Sequence, residues 1–367
     1  MVTGSNARDL YSIVARLAVE AAERGTFGVG GVLAGASGRI LATARNAVIA
    51  GGRVEDPTAH AERQLVDWWF AAGPRDVAPG ALTIVSSLEP CMMCAGSILR
   101  AGFNCVALTD DDAAGVGIRR GMPTLPPALQ ARARGSFGSA AVRGRRAFVG
   151  SAADSFRAEA SAADFEAATD AFDATREGVR QITSGAGSRS RAAASARTSE
   201  VVVELDVDRD AVWIADRSSR GVQDFLRLAE RLRGDGSAAG LADETGRLVY
   251  VAAGRTSRSP IRTAVMECVR GFVRDRERVE RSVGRELTPP HLRLLVAGEP
   301  RDDEEAIIAL GAAGSFVEAP LDRGRAPYVQ LVGDAASHAG RPGEMLARYP
   351  PFYRDFVGLR VGAAPSV

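Results

Sequence analysis

The chain has 367 residues, 46% hydrophobic and 25% charged, which fits a globular protein of two domains better than a single core. Its 46 basic residues, all arginine, stand against 45 acidic ones for a net charge of +1, so the basic excess of a dedicated nucleic-acid surface is missing. No apolar run approaches the ~20 residues of a membrane helix, and the opening MVTGSNARDLYS has no basic region leading into an apolar core, which argues against a secretory leader. Of Cys91, Cys94, Cys105 and Cys268, the first two form a C-x-x-C pair. In a cytoplasmic protein, the expected location, such a pair speaks for metal or redox chemistry rather than a disulfide framework.

Taken in chain order, Asp9 to Arg24 has helical apolar spacing with a polar face. Val29 to Leu33 and Ile40 to Thr43 read as strands joined by GASGR, a hairpin. A loop is expected from Asn46 to Pro57, then a helix from Thr58 to Ala72. Ala81 to Ser86 reads as a short buried strand, Cys91 to Arg100 as a helix opening after Pro90, and Asn104 to Leu108 as another strand. A helix near Pro126 to Arg134 and a strand near Arg146 to Gly150 add one more crossover. Asp154 to Ile182 reads as an alanine-rich amphipathic helix. The succession is that of a mixed sheet covered by helices.

Ser184 to Ser199, SGAGSRSRAAASARTS, lacks apolar bulk and reads as a flexible linker, so the first domain is set at 1–182 and the second at 200–367. Strands resume at Val201. Beyond them the order of the first half recurs. A helix from Phe225 to Arg233 precedes GLADETGRLVYVAAGR, which echoes VLAGASGRILATARN with Gly246-Arg247 over Gly38-Arg39. Ser259-Pro260 falls over Asp56-Pro57, the helix RTAVMECVRGFV over AHAERQLVDWWF, the strand Leu294 to Ala297 over ALTIVS, and Glu299-Pro300 over Glu89-Pro90. Either the second half is a copy of the first, or two generic α/β halves resemble one another; the two aligned X-Pro-helix junctions favour the copy.

Three pieces of the first half carry the chemistry: His60-Ala61-Glu62, Pro90-Cys91-Met92-Met93-Cys94, and Asn46 upstream. H-x-E followed by P-C-x-x-C is the zinc deaminase signature. DPTAHAE with LEPCMMCAGSIL resembles the cytidine-deaminase-like superfamily, nearest the branch of tRNA adenosine deaminase, guanine deaminase and fungal-type cytosine deaminases, over about residues 7 to 150. The resemblance implies a three-layer α/β/α sandwich around a five-stranded mixed sheet. It also implies one Zn2+ held by His60, Cys91 and Cys94, with Glu62 moving the proton.

The residues suit that role. A catalytic zinc takes three protein ligands and keeps one position open. Cys91 and Cys94 on a first helical turn project to nearly the same side, and two helix N-termini would favour thiolates. Glu62 need not bind the metal and is placed to take a proton from water and pass it to the ring nitrogen and leaving amine. A C-x-x-C alone would also suit a redox pair or half of a structural site, but a structural site needs a fourth ligand, and His291 and His338 lie in the other half.

For the substrate, the resemblance points to Asn46 as a base contact, or else a turn residue. It further points to Ser87 and Glu89 at the substrate-facing strand end, Phe27 packed near the base, and Asp112 in the run Asp110 to Asp112, which also reads as a solvated loop. Trp68 and Trp69 read as core more than as stacking platforms. Asp154, Glu159, Asp164, Glu166, Asp170, Asp173 and Glu177 make the helix after residue 154 acidic, against a phosphate backbone. The expected substrate is therefore a free aminated heterocycle: a nucleobase, a nucleoside or a relative. A tRNA or other nucleic-acid deaminase is the alternative, and a binding or scaffold protein with a relict zinc site the second.

In the second half Thr263 falls at the place of His60, Val265 at that of Glu62, Arg301 at that of Cys91 and Glu304 at that of Cys94. No zinc site is expected there. The half serves as a built-in partner packed on the first half or on a second chain, binds a regulator, or is an unrelated α/β domain.

Overall fold

The computed structural model describes residues 4–110, 117–142, 159–183, 203–206, 211–214, 222–232, 237–289, 292–297, 300–317, 329–333 and 359–363. The chain divides into two compact units, residues 1–180 with 348–352 and residues 181–347 with 353–367. The boundary falls beside the expected linker, Ser184 to Ser199, which itself lies outside the described residues.

The first unit opens with helix α1 (Gly4–Glu23) and the hairpin of β1 (Gly30–Gly35) and β2 (Ile40–Arg45). The hairpin turns through Gly38 at φ 82°, a left-handed conformation that costs glycine little. The loop expected from Asn46 to Pro57 contains a second, tiny hairpin, β3 (Ile49–Ala50) and β4 (Arg53–Val54), turning at Gly51-Gly52. Two-residue strands are too short to show a period; only the Gly-Gly pair announces this turn. Helix α2 (Ala61–Ala72) begins at Ala61 rather than Thr58, because the Asp56 carboxylate accepts from both the N–H and the hydroxyl of Thr58 and holds that stretch as a turn.

Strand β5 (Leu82–Leu88) is buried throughout and leads into α3 (Met92–Ala101), which ends at Gly102 in the left-handed conformation. After β6 (Asn104–Thr109) come α4 (Ile118–Gly121), α5 (Pro127–Ser136) and β7 (Phe137–Ser139). The fifth strand of the sheet is thus β7, directly after α5; the strand expected near Arg146 to Gly150 lies outside the described residues. Phe-Gly-Ser contains no β-branched residue, so composition gave no warning of it. Strand β8 (Ala141–Val142) pairs with β9 (Glu159–Ala160), and α6 (Ala162–Thr183) closes the unit. The expected helix reached back to Asp154. It starts instead after Ser161, whose hydroxyl accepts the Asp164 N–H and donates to the Asp164 carboxylate.

The sheet order is β2-β1-β5-β6-β7, antiparallel across β2, β1 and β5 and parallel across β5, β6 and β7. Leu10, Tyr11 and Val14 of α1 and Phe165 and Ala168 of α6 pack with Val32, Val85 and Val106 on one face. Gly31 faces Leu65 and Ala61 of α2 on the other, so the unit has three layers. Both helices of the second face then start at the same end of the sheet, one after the Asp56-Pro57 turn and one after Glu89-Pro90.

The second unit holds a seven-stranded sheet in the order β10-β11-β13-β12-β14-β15-β16. Its elements are β10 (Val203–Asp206), β11 (Ala211–Ile214), α7 (Val222–Arg231), β12 (Ala238–Asp243), β13 (Leu248–Ala253), α8 (Ala264–Val283), β14 (Leu292–Ala297), α9 (Asp303–Val317), β15 (Val329–Gly333) and β16 (Leu359–Ala363). The hairpin expected between Gly240 and Arg255 is β12 and β13, and the expected helix after Arg262 is α8, longer than anticipated. No helix among the described residues is long and apolar enough to cross a membrane.

Trp69 is buried and meets Phe103 edge-on at 5.7 Å, tying α2 to the turn before β6. Trp69→Ala should destabilise the first unit by about 3–5 kcal/mol, from lost burial and the cavity left behind. The fall of that unit's denaturant midpoint measures it.

Candidate metal centre

The segment before α2 is clamped from within the helix. Arg63, 3% exposed, bonds to the Thr58 carbonyl, to Asp67 and, at 3.1 Å, to Asp56. The Gln64 amide donates to the Ala59 carbonyl at 2.9 Å and to the Arg45 carbonyl at 2.8 Å. Held this way, His60 sits at the N-cap of α2 with extended backbone, φ −70° and ψ 149°, and its side chain does no capping.

Cys91 occupies the corresponding place on α3, at the N-cap with φ −68° and ψ 170°, one residue before the helix rather than within its first turn. Cys94 lies in the turn that follows and is buried. A second clamp acts here: Cys91 forms an antiparallel bridge with Gly117, and the Ile118 N–H donates to the Pro90 carbonyl at 2.8 Å. The His60 Nδ1 is 3.5 Å from the Cys91 Sγ. The donor atoms of His60, Cys91 and Cys94 all lie within 4.8 Å of one another.

The electrostatics fit a cation. The Cys94 thiol donates to Cys91 and, with the help of His60, holds the Cys91 pKa well below the usual thiol range. Burial, then the neighbouring Cys91, pushes Cys94 up. The two sulfurs share what a divalent cation would replace. Two thiolates and one imidazole make a zinc donor set, and among the described residues no fourth histidine, cysteine or carboxylate joins them. One coordination position is therefore left to water or substrate.

Glu62, at the second position of α2, is buried and accepts from the Ser86 hydroxyl at 2.9 Å. Burial, then the charge of Cys91, raises its pKa. Ser86 escaped the sequence reading. Alternation along β5 puts it on the α2 face, opposite to Val85, and that is the signal that could have found it. Arg63 and Gln64 escaped too, because their partners are carbonyls and carboxylates in the preceding turn that no local pattern marks.

The other expected site residues are placed as follows. The Asn46 carboxamide oxygen accepts from the Thr26 hydroxyl at 2.6 Å and the Val48 N–H at 3.0 Å, which leaves its amide nitrogen as the group able to donate outward. Phe27 packs with Val29, Val48, Ala61, Leu88 and Val179, its ring 6.2 Å from that of Phe172 on α6. The Ser87 hydroxyl accepts the Gly30 N–H at 2.9 Å, and so fastens β5 to β1. The Glu89 carboxylate accepts the Arg119 N–H and lies against Gly117, where any side chain would collide with it. Asp112 lies outside the described residues.

His60→Ala and Cys94→Ser should each take bound zinc from one per chain to none, read by elemental analysis of the purified protein. Arg63→Met should leave the ligands in place but loosen their support, weakening zinc about 10- to 100-fold. A competing chelator titration reads that change.

Residues 5–109 match the model for the cytidine and deoxycytidylate deaminase zinc-binding region. No curated protein matches the sequence. Among similar solved structures is a tRNA:A34 deaminase of A-to-I wobble editing, at 25% identity over 33% of this chain and 88% of that one, TM-score 0.25. A protein solved in complex with 2,6-diaminopurine shows 18% identity over 49% of this chain and 84% of that one, TM-score 0.29. A diaminohydroxyphosphoribosylaminopyrimidine deaminase/5-amino-6-(5-phosphoribosylamino)uracil reductase from Thermotoga maritima shows 18% identity over 48% of this chain and 42% of that one, TM-score 0.27. Residues 5–109 of this chain are thus similar to the zinc-binding region of cytidine and deoxycytidylate deaminases, and His60, Cys91 and Cys94 within them form the donor set for one Zn2+.

Proposed function

We propose that the first unit hydrolyses the ring-bound amine of a small free heterocycle, a nucleobase, nucleoside or relative, and releases ammonia. One observation carries the choice of a small substrate. Helix α6 packs beside the site: the Gly28 N–H donates to Thr175 at 2.9 Å, and Val179 shares a cluster with Phe27, Ala61 and Leu88. The outer side of that helix carries Glu166, Asp170, Asp173 and Glu177, all exposed. An acidic stripe on a helix that packs beside the site repels a phosphate backbone.

When bound, zinc supplies the Lewis acidity that makes water a nucleophile near neutral pH. Glu62 takes the proton of that water and delivers it to the ring nitrogen and then to the departing amine. Ser86 keeps the Glu62 carboxylate aimed. The Asn46 amide donates to the ring. Ammonia release should be measured with free bases, nucleosides and folded tRNA in parallel, with Glu62→Ala as control. Release from a free base or nucleoside is expected, lowered about 10²- to 10⁴-fold in Glu62→Ala. Release with tRNA alone would overturn the substrate class, and release with none would overturn the deaminase reading.

We also infer that the second unit is a degenerate copy of the first. Supporting this, β13-β12-β14-β15-β16 repeats the order and the strand directions of β2-β1-β5-β6-β7. Both hairpins carry an irregularity at matching places, Leu33/Ala34 and Leu241/Ala242. Gly246 at φ 84° matches Gly38 at φ 82°. Thr263 is the N-cap of α8 with φ −65° and ψ 158°, as His60 is of α2. Its hydroxyl now accepts the Met266 N–H, Val265 is buried, and Arg301 pairs with Glu305 at 2.9 Å. Glu299, part of the aligned junction, lies outside the described residues.

Stripped of ligands, this unit serves as a built-in partner for the first. Residues 1–182 produced alone should therefore be less stable and less active than the whole chain. A fragment that is monomeric, equally stable and fully active would overturn the partner role.

A further inference from the structure

Resting on the reading of Asn46 as a substrate contact, we propose that Thr26 sets which substrates the site accepts, by locking the Asn46 carboxamide so that only its N–H groups are left to face the ring. Thr26 and Asn46 are both buried, 1% and 3% exposed. The chain on either side of Asn46 is tied to the turn that carries His60. The Ala47 N–H donates to the Ala59 carbonyl at 2.9 Å, and the Gln64 amide donates to the carbonyls of both Arg45 and Ala59. Phe27, the residue after Thr26, packs with Ala61 of α2 and Leu88 of β5.

Three bonds fix which way the amide points. The Ile49 N–H donates to the Thr26 hydroxyl at 3.1 Å. The one hydrogen of that hydroxyl is given to Asn46, whose Oδ1 lies 2.6 Å away. The Val48 N–H donates to the same Oδ1 at 3.0 Å, so both lone pairs of that oxygen are used.

The flipped amide would set its NH2 against the Val48 N–H, donor facing donor. It would also leave the Thr26 hydrogen without this acceptor, a loss that weighs most where both groups are buried. The Val48 bond alone is the local turn that an asparagine makes in many loops. Thr26 reaches it from 20 positions away and makes the orientation part of the fold.

An amide that can only donate selects its partner. The substrate atom opposite Asn46 must be an acceptor, either an unprotonated ring nitrogen or a carbonyl oxygen. A ring that places an N–H or an amino group there would leave donors unpaired, a mismatch that discriminates strongly. The amine to be lost therefore lies on another edge of the ring.

The test uses the zinc-loaded full chain. Ammonia release is followed with the best free base or nucleoside and with analogues that each lack one ring nitrogen or one ring carbonyl. The wild type should lose about tenfold or more in kcat/KM with the analogue missing the atom that faces Asn46. Thr26→Val keeps the shape and removes the hydroxyl. It should lower kcat/KM for the parent substrate roughly tenfold and shrink the discrimination against that analogue, and Thr26→Ser should restore both. In chains already carrying Asn46→Ala, Thr26→Val should change kcat/KM by less than about twofold. Unchanged zinc content and circular dichroism show that the variants fold. A loss in Thr26→Val that is equal with and without Asn46, or equal for parent and analogue, overturns the proposal. The lock is also read without substrate, from the side-chain amide signals of Asn46 in a 15N spectrum, identified by their loss in Asn46→Ala. They should shift or split in Thr26→Val and return in Thr26→Ser; signals that stay in place overturn the lock. No ammonia from any substrate, with that spectral change present, overturns the deaminase reading and leaves the lock standing.

Discussion

The centre depends on two donors that stand just ahead of helices instead of inside them. His60 and Cys91 both have extended backbones at an N-cap, so each side chain projects in front of its helix into the same small volume. Neither side chain satisfies the N–H groups behind it. Those groups and the helix dipoles bias the space toward negative charge, which thiolates supply and a cation then balances. Most of the neighbouring structure holds these two ends still. Arg63 and Gln64 brace the turn before α2, and the 117–119 segment braces the turn before α3. With both ends fixed, the metal need not gather its own ligands.

Much of the first unit could be read from its residues, because its strands and helices are bounded by strong punctuation. Gly38 marks the hairpin, Pro57 and Pro90 mark the two helix entries, and the buried runs between them have the lengths of strands. What escaped has a common physical origin. Strands β3 and β4 are shorter than one period, and β7 takes its place because it is hydrogen-bonded to β6, not because Phe-Gly-Ser prefers extension. The metal ligands were legible because spacing along the chain records them. Their supports were not, since Arg63 reaches back five and seven residues and Ser86 reaches across 24 positions to Glu62.

The residues at the end of β5 carry structural bonds that their types alone do not announce. The Ser87 hydroxyl accepts the Gly30 N–H, and the Glu89 carboxylate accepts the Arg119 N–H. In the second unit the Thr263 hydroxyl caps α8 by accepting the Met266 N–H, again a bond that the residue type allows and the fold makes.

Gly28 lets helix α6 rest directly on the main chain, for a Cβ at that position would run into the Ala171 carbonyl. The bond that seals this contact joins residues 147 positions apart. During synthesis every metal ligand has left the ribosome long before Thr175 does. The nascent chain thus holds a complete set of zinc donors while Phe27 and the strand entry beside them still lack their cover. Closing so distant a contact is slow and comes late. For this unit the order of emergence places the metal ligands first and helix α6 last, so a chain released early would carry thiolates able to capture zinc before that helix packs against Phe27.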